Sequence, residues 1–175
     1  MSGRTYVSLV VAVLLGCSSS DDEWSGGPGE LWCEGYCTME QRCAPATTSS
    51  TTCRQTCVAN RPGLANFSAD GARLVGNCVA GFNCSVRQSE TLWDTEFQVC
   101  WEGAQTKLEP TQHVRSFCAG FIEHLFDCGY WFPQRECESR YGMWSDAVID
   151  RLAQCQNQLD CEAFDSCVAG VFETL

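Results

Sequence analysis

The chain has 175 residues, 15 of them cysteine, and 22 acidic residues against 11 basic ones give a formal charge of −11. A body this acidic repels nucleic acid and anionic headgroups, which excludes polyanion binding as its main role. The length allows one domain or two small ones, and the cysteine content is that of a disulfide scaffold in an oxidising compartment.

Residues 1–16 carry Arg4 in a short head, an apolar stretch from Tyr6 to Leu15, and Gly16 before Cys17. A basic head, an apolar core and a small residue at the cut make a signal peptide. The apolar run is too short to span a hydrocarbon core of roughly 30 Å, which takes about 20 residues as a helix. The run Leu14-Leu15-Gly16-Cys17 resembles the bacterial lipobox. That resemblance implies that the Cys17 thiol is diacylglycerol-modified, that Cys17 becomes the first residue of the mature chain, and that membrane lipid is its first partner. The alternative is an ordinary signal with a coincidental cysteine, which leaves an unpaired thiol in a secreted protein. Cleavage removes one basic residue and no acidic one, moving the charge from −11 to −12. Without Cys17 the cysteines are even in number and all of them can pair.

Residues 17–30, beyond Cys17 small, polar and glycine-rich, read as a flexible acidic tether reaching about 20 Å. Its Ser-rich, then acidic run is similar to signals that send some bacterial lipoproteins to the outer surface, and a solvated spacer is the plainer reading.

Residues 31–105 form a first disulfide-rich helical unit. Cys33 and Cys37, and again Cys53 and Cys57, stand four residues apart, on one face of a helix. Two such pairs on antiparallel helices make two rungs, Cys37–Cys53 and Cys33–Cys57, similar to the α-hairpinin arrangement. Cys43 and the Thr/Ser run 47–52 are expected in the connecting loop. The segment TLWDTEFQVC at 91–100 fits a strand or a helix turn equally.

A break at 104–112, around Pro110, precedes a second unit over 112–175. Val114, Phe117, Cys118, Phe121, Leu125 and Cys128 recur at helical steps, with Gly129 as a stop. Pro133 suits the first turn of a short helix through Cys137. Ser145 and Asp160 sit where N-caps belong, ahead of helices carrying Cys155 and Cys161-x5-Cys167.

The two units look duplicated. Cys33-x9-Cys43 matches Cys118-x9-Cys128, and Cys78-x5-Cys84 matches Cys155-x5-Cys161. Cys57 and Cys137 fall between, and Cys100 and Cys167 close each set. Ser68 ahead of Arg73-Leu74 parallels Ser145 ahead of Arg151-Leu152. Cys37 and Cys53 are left over in the first unit and can pair with each other.

No constellation announces a reaction. Four-cysteine zinc sites usually show C-x2-C or C-x4-C pairs, the two C-x3-C pairs here stand in an oxidising compartment where disulfides win, and His113 and His124 face different ways on one helix, so neither metal nor cofactor is expected. C-x-x-C is missing, which argues against thiol redox chemistry. A G-x-S-x-G elbow is missing too. Glu123-His124 with Asp127-Cys128 resembles the small secreted phospholipases, but Leu125 stands where their catalytic Asp follows the His. Acids such as Glu34, Glu40, Glu136 and Asp150 are expected on solvated helix faces. The aromatics Tyr130, Trp131, Phe132 and Trp144 read either as a partner surface or as cover for a short core.

These readings give a mainly α, disulfide-rich fold of two tandem stapled units of short helices. The lipobox, acidic tether and recurrent spacing together resemble the small cysteine-rich lipoproteins common in myxobacteria, a group that implies an address and no activity. The expected role is a lipid-anchored structural or interaction module of the cell envelope, on the periplasmic or surface face of the outer membrane. Its partner would be an envelope protein or a carbohydrate. The alternatives are a small secreted hydrolase with unplaced acidic residues, and a secreted disulfide protein without lipid.

Overall fold

Helical signals in the sequence become eight α-helices and two 3₁₀ turns, with no strand among the described residues. The structure, a computed structural model, describes residues 26–45 and 49–175. Cys17, the expected signal peptide and the expected tether through residue 25 lie outside the described residues. The helices are α1 (Pro28–Cys43), α2 (Ser50–Asn60), α3 (Ala69–Ala80), α4 (Glu90–Lys107), α5 (Gln112–Asp127), α6 (Gln134–Tyr141), α7 (Asp146–Cys155) and α8 (Cys161–Glu173). The 3₁₀ turns are Pro62–Asn66 and Val86–Gln88.

Local chemistry sets their starts. Ser68, Ser89, Thr111 and Asp160 each accept a backbone N–H of the first turn of α3, α4, α5 and α8. A cap of this kind contributes about 1 kcal/mol. Ser145 holds the cap position of α7 but its side chain makes no cap bond. α5 stops at Gly129, at φ 81°, and the Tyr130 N–H returns to the Leu125 carbonyl at 2.9 Å.

Two expectations are corrected and one open alternative is decided. The tether ends earlier than residue 30, because Pro28 opens α1 and the Glu30 carboxylate accepts the Gly27 N–H at 3.1 Å. Cys43 is the last residue of α1 rather than a loop residue, and Ser50–Thr52 already belong to α2. Residues 91–100 are helical throughout, since Trp93, Phe97 and Trp101 share one face of α4 at i, i+4 steps.

The bridges settle into two sets. The first holds Cys33–Cys57, Cys37–Cys53, Cys43–Cys84 and Cys78–Cys100. The second holds Cys118–Cys137, Cys128–Cys161 and Cys155–Cys167. Both rungs of the α1–α2 hairpin form as expected. Under the spacing match, each bridge of the second set has its counterpart in the first, and Cys37–Cys53 is the extra one.

Aligning the sequence on matched cysteines carries the likeness into the interior. Trp32 falls opposite Phe117, Val75 opposite Leu152, and Phe97 opposite Phe164, all in or against their own core cluster. Ser68 and Ser145 keep this register, while Arg73-Leu74 and Arg151-Leu152 sit one position out of it.

Glycine decides how the helices cross. α1 meets α3 so closely that a methyl on Gly35 would lie 1.8 Å from the Gly76 carbonyl oxygen. The aligned pair in the second unit is Gly120 and Ala153, and there the Gln156 side chain fills the gap, donating to the Phe117 carbonyl at 3.2 Å. One matched crossing is backbone to backbone, and the other is padded by a side chain.

The units join along a seam. The Ser68 N–H donates to the Met143 carbonyl at 2.9 Å and the Ser145 N–H donates to the Asn66 carbonyl at 2.8 Å. Met143 is fully buried and belongs to the first core, although it lies in the second unit's sequence.

Candidate functional site

The four aromatics singled out in the sequence separate in space. Cys128–Cys161 pins the turn after α5 to the start of α8. On this corner Trp131 is 80% exposed, Phe126 70% and Tyr130 55%. Phe132 turns inward against the second core, with the Arg140 guanidinium 5.6 Å from its ring. Trp144 lies in the seam, stacked on Phe67 at 5.1 Å and edge-on to Trp101 at 6.0 Å. Tyr130 and Trp131 are thus exposed, whereas Phe132 covers the second core and Trp144 the seam. Phe126 belongs with the exposed pair and is missed by sequence, because its helical step continues the apolar run without saying where the run leaves the core.

A second feature forms on the first unit. Tyr36 and Glu40 stand one turn apart on α1, Arg61 follows α2, and Arg87 lies in the second 3₁₀ turn. Glu40, expected on a solvated face, is buried to 8% exposure, the one buried charged residue among those described. It is kept there by an ion pair, since Arg87 Nε lies 3.0 Å from Glu40 Oε1. The Tyr36 hydroxyl is pushed above its ordinary ionisation range by burial and then by the adjacent Glu40 charge.

The Arg61 guanidinium lies 4.8 Å from the centroid of Trp32 and 5.4 Å from that of Tyr36. Trp32 and Tyr36 stack on each other at 5.7 Å. No carboxylate comes within ion-pair distance of Arg61 among the described residues. Two open hollows of about 340 and 360 Å³ meet along Tyr36, Glu40 and Arg61. The first runs on over Ser49, Thr52, Thr56 and Asn60. The second runs over Arg87, Ser89, Glu90 and Trp93. Volumes of this size are at the small end of ligand cavities, roughly 300–1,000 Å³. Only the four-residue step from Tyr36 to Glu40 could have hinted at the cluster from sequence.

The histidines do not converge. His113 Nε2 pairs with Asp150 Oδ1 at 3.0 Å. His124 lies over the Phe164 ring at 4.2 Å, with a buried Nε2 that has no hydrogen-bond partner among the described residues. Among the described residues no group of three His, Cys, Asp or Glu side chains is placed to hold a metal ion. No helix there is long and apolar enough to cross a membrane.

No family model matches the chain, and neither a curated protein nor a solved structure matches it significantly.

Proposed function

We propose that this is a lipid-anchored, non-enzymatic interaction module of the bacterial cell envelope. Leu14-Leu15-Gly16-Cys17 supports the anchor, and seven bridges suit an oxidising compartment outside the cytosol. The membrane would be the outer one, met from its periplasmic or surface face.

The observation that carries the interaction role is the corner holding Phe126, Tyr130 and Trp131. Three large rings stand mostly in water where the last turn of α5 meets a turn locked by a disulfide. Covering one such ring removes apolar area worth roughly 1.5–3 kcal/mol, and a locked turn loses little entropy on binding. Tyr and Trp also carry a polar edge, which suits an envelope protein or the apolar face of a carbohydrate.

Two measurements test this reading. Intact mass of the membrane-extracted protein should show a diacylglycerol and acyl increment that Cys17→Ala abolishes, and an unmodified mass on Cys17 would overturn the anchor. Co-sedimentation of residues 18–175 with isolated envelope saccharide, and with purified outer-membrane proteins, should weaken by about tenfold or more in Trp131→Ala. Unchanged sedimentation, or cleavage of the saccharide by the wild-type protein, would overturn the non-enzymatic binding role.

A further inference from the structure

We infer that the hollows meeting at Tyr36, Glu40 and Arg61 form a binding site for an acidic saccharide, a sugar ring carrying a carboxylate. The site lies on the first unit and does not depend on the aromatic corner.

The argument starts from charge. An anion approaching a body of net charge −11 needs a local cation that is not already neutralised. The other four arginines of the first unit are committed: Arg54 to Glu34, Arg73 to Asp70, Arg87 to Glu40, and Arg42 to the Ala80 and Phe82 carbonyls. Arg61 instead spends the face of its guanidinium on Trp32 and Tyr36. Stacking leaves the N–H edge free, and that edge is a planar fork of donors matched to a carboxylate. The stack also fixes the fork in place, so little freedom is lost when a carboxylate arrives.

Glu40 does not cancel Arg61. Its charge is taken up by Arg87, which leaves Arg61 as the uncompensated charge of the first hollow, while Glu90 lies in the second. The wall of the first hollow is hydroxyl and amide: Ser49, Thr52, Thr56 and Asn60. Such groups both donate and accept, as sugar hydroxyls require. The second hollow adds the Trp93 ring, a surface on which a sugar's C–H face can lie. Carboxylate fork, hydroxyl wall and ring together fit a uronic acid better than a free carboxylate or a neutral sugar.

The test is titration calorimetry on the full mature protein in detergent, with digalacturonate, neutral galactobiose and an acidic peptide of Glu residues as probes. Digalacturonate should saturate, and galactobiose should bind about tenfold more weakly or worse, the usual scale of a charged hydrogen bond. Arg61→Gln should lose about tenfold or more for digalacturonate, with Arg61→Lys intermediate because it keeps charge but not the fork. If Arg61→Gln loses its helical signal, Asn60→Asp decides, since a carboxylate in the first hollow should weaken digalacturonate by a larger factor than galactobiose, and an equal loss for the two sugars overturns the site. Absence of saturable digalacturonate binding, equal binding of the two sugars, or an unaffected Arg61→Gln overturns the site. Tighter binding of the Glu peptide overturns the saccharide assignment.

Discussion

Phe67 and Trp144 hold matching positions, each just before the serine at the N-cap position of its unit's third helix, and they pair with each other. An isolated antiparallel bridge joins their backbones and their rings stack at 5.1 Å with 23° between planes. The Ser68 and Ser145 amides complete the bridge reciprocally. Equivalent residues meeting each other is the geometry of a two-fold contact, here within one chain.

Trp144→Ala should therefore weaken the seam more than either unit. The lost stacking on Phe67, Trp101 and Phe172 is worth about 3 kcal/mol, the low end for an aromatic truncation because Trp144 is only half-buried. Calorimetric unfolding should split into two transitions, as each unit keeps its own core and staples. One unchanged transition would show that the seam contributes nothing.

Glycine substitutions separate the two crossings. Gly35→Ala should cost about 3 kcal/mol or more, because the new methyl meets backbone at 1.8 Å and backbone cannot step aside. Gly120→Ala should cost much less, since it meets the Gln156 side-chain end at 2.7 Å, which can swing away. Gly103→Ala meets nothing within 4 Å in mid-α4 and should stabilise by roughly 0.5–1 kcal/mol. Denaturant midpoints of the three variants check the order.

Nested bridges are partly redundant. Cys37–Cys53 closes a loop of separation 16 that lies wholly inside the Cys33–Cys57 loop of separation 24. The double variant Cys37→Ser/Cys53→Ser should thus lose less than the roughly 3 kcal/mol expected for an independent loop of about 15 residues. Cys43→Ser/Cys84→Ser, with separation 41, should lose more. Equal losses in urea unfolding would contradict the nested account.

Alkaline pH should destabilise the fold through two tyrosines. Burial raises Tyr36, with Glu40 adding to it, and burial raises Tyr141, each above the ordinary 10.0. A phenol held more firmly protonated in the folded state adds stability below the unfolded value. That stability drains as pH rises from about 10 through the folded values. Tyr36→Phe and Tyr141→Phe should each flatten the alkaline limb of a stability–pH curve. A limb identical to wild type in both would show that other groups control it.

Much of the fold was legible locally. Helix faces such as Val114-Phe117-Phe121, the stop at Gly129 and the cap at Asp160 follow from steps of three and four residues and from single side chains. The hairpin rungs were readable for the same reason, since Cys33/Cys37 and Cys53/Cys57 each repeat at one helical turn. The first turn of α1 was not, because Pro28 and Gly29 look like linker until Glu30 is seen to cap Gly27. Nor was the helix at 91–100, whose aromatic and β-branched content suits either structure until its ring face finds a core.

By itself, the sequence determined an acidic, helical, fully stapled body behind a lipobox-like Cys17, with two matched cysteine sets. Only the tertiary structure chose one pairing from on the order of 10⁵, sent Trp144 to the seam while leaving Trp131 in water, and gathered Tyr36, Glu40, Arg61 and Arg87. Caps and periodicity act within a turn or two of helix, so they are written in neighbouring residues. Which helices touch depends on how closely backbones approach, as at Gly35 and Gly76, and that is decided between residues far apart in the chain.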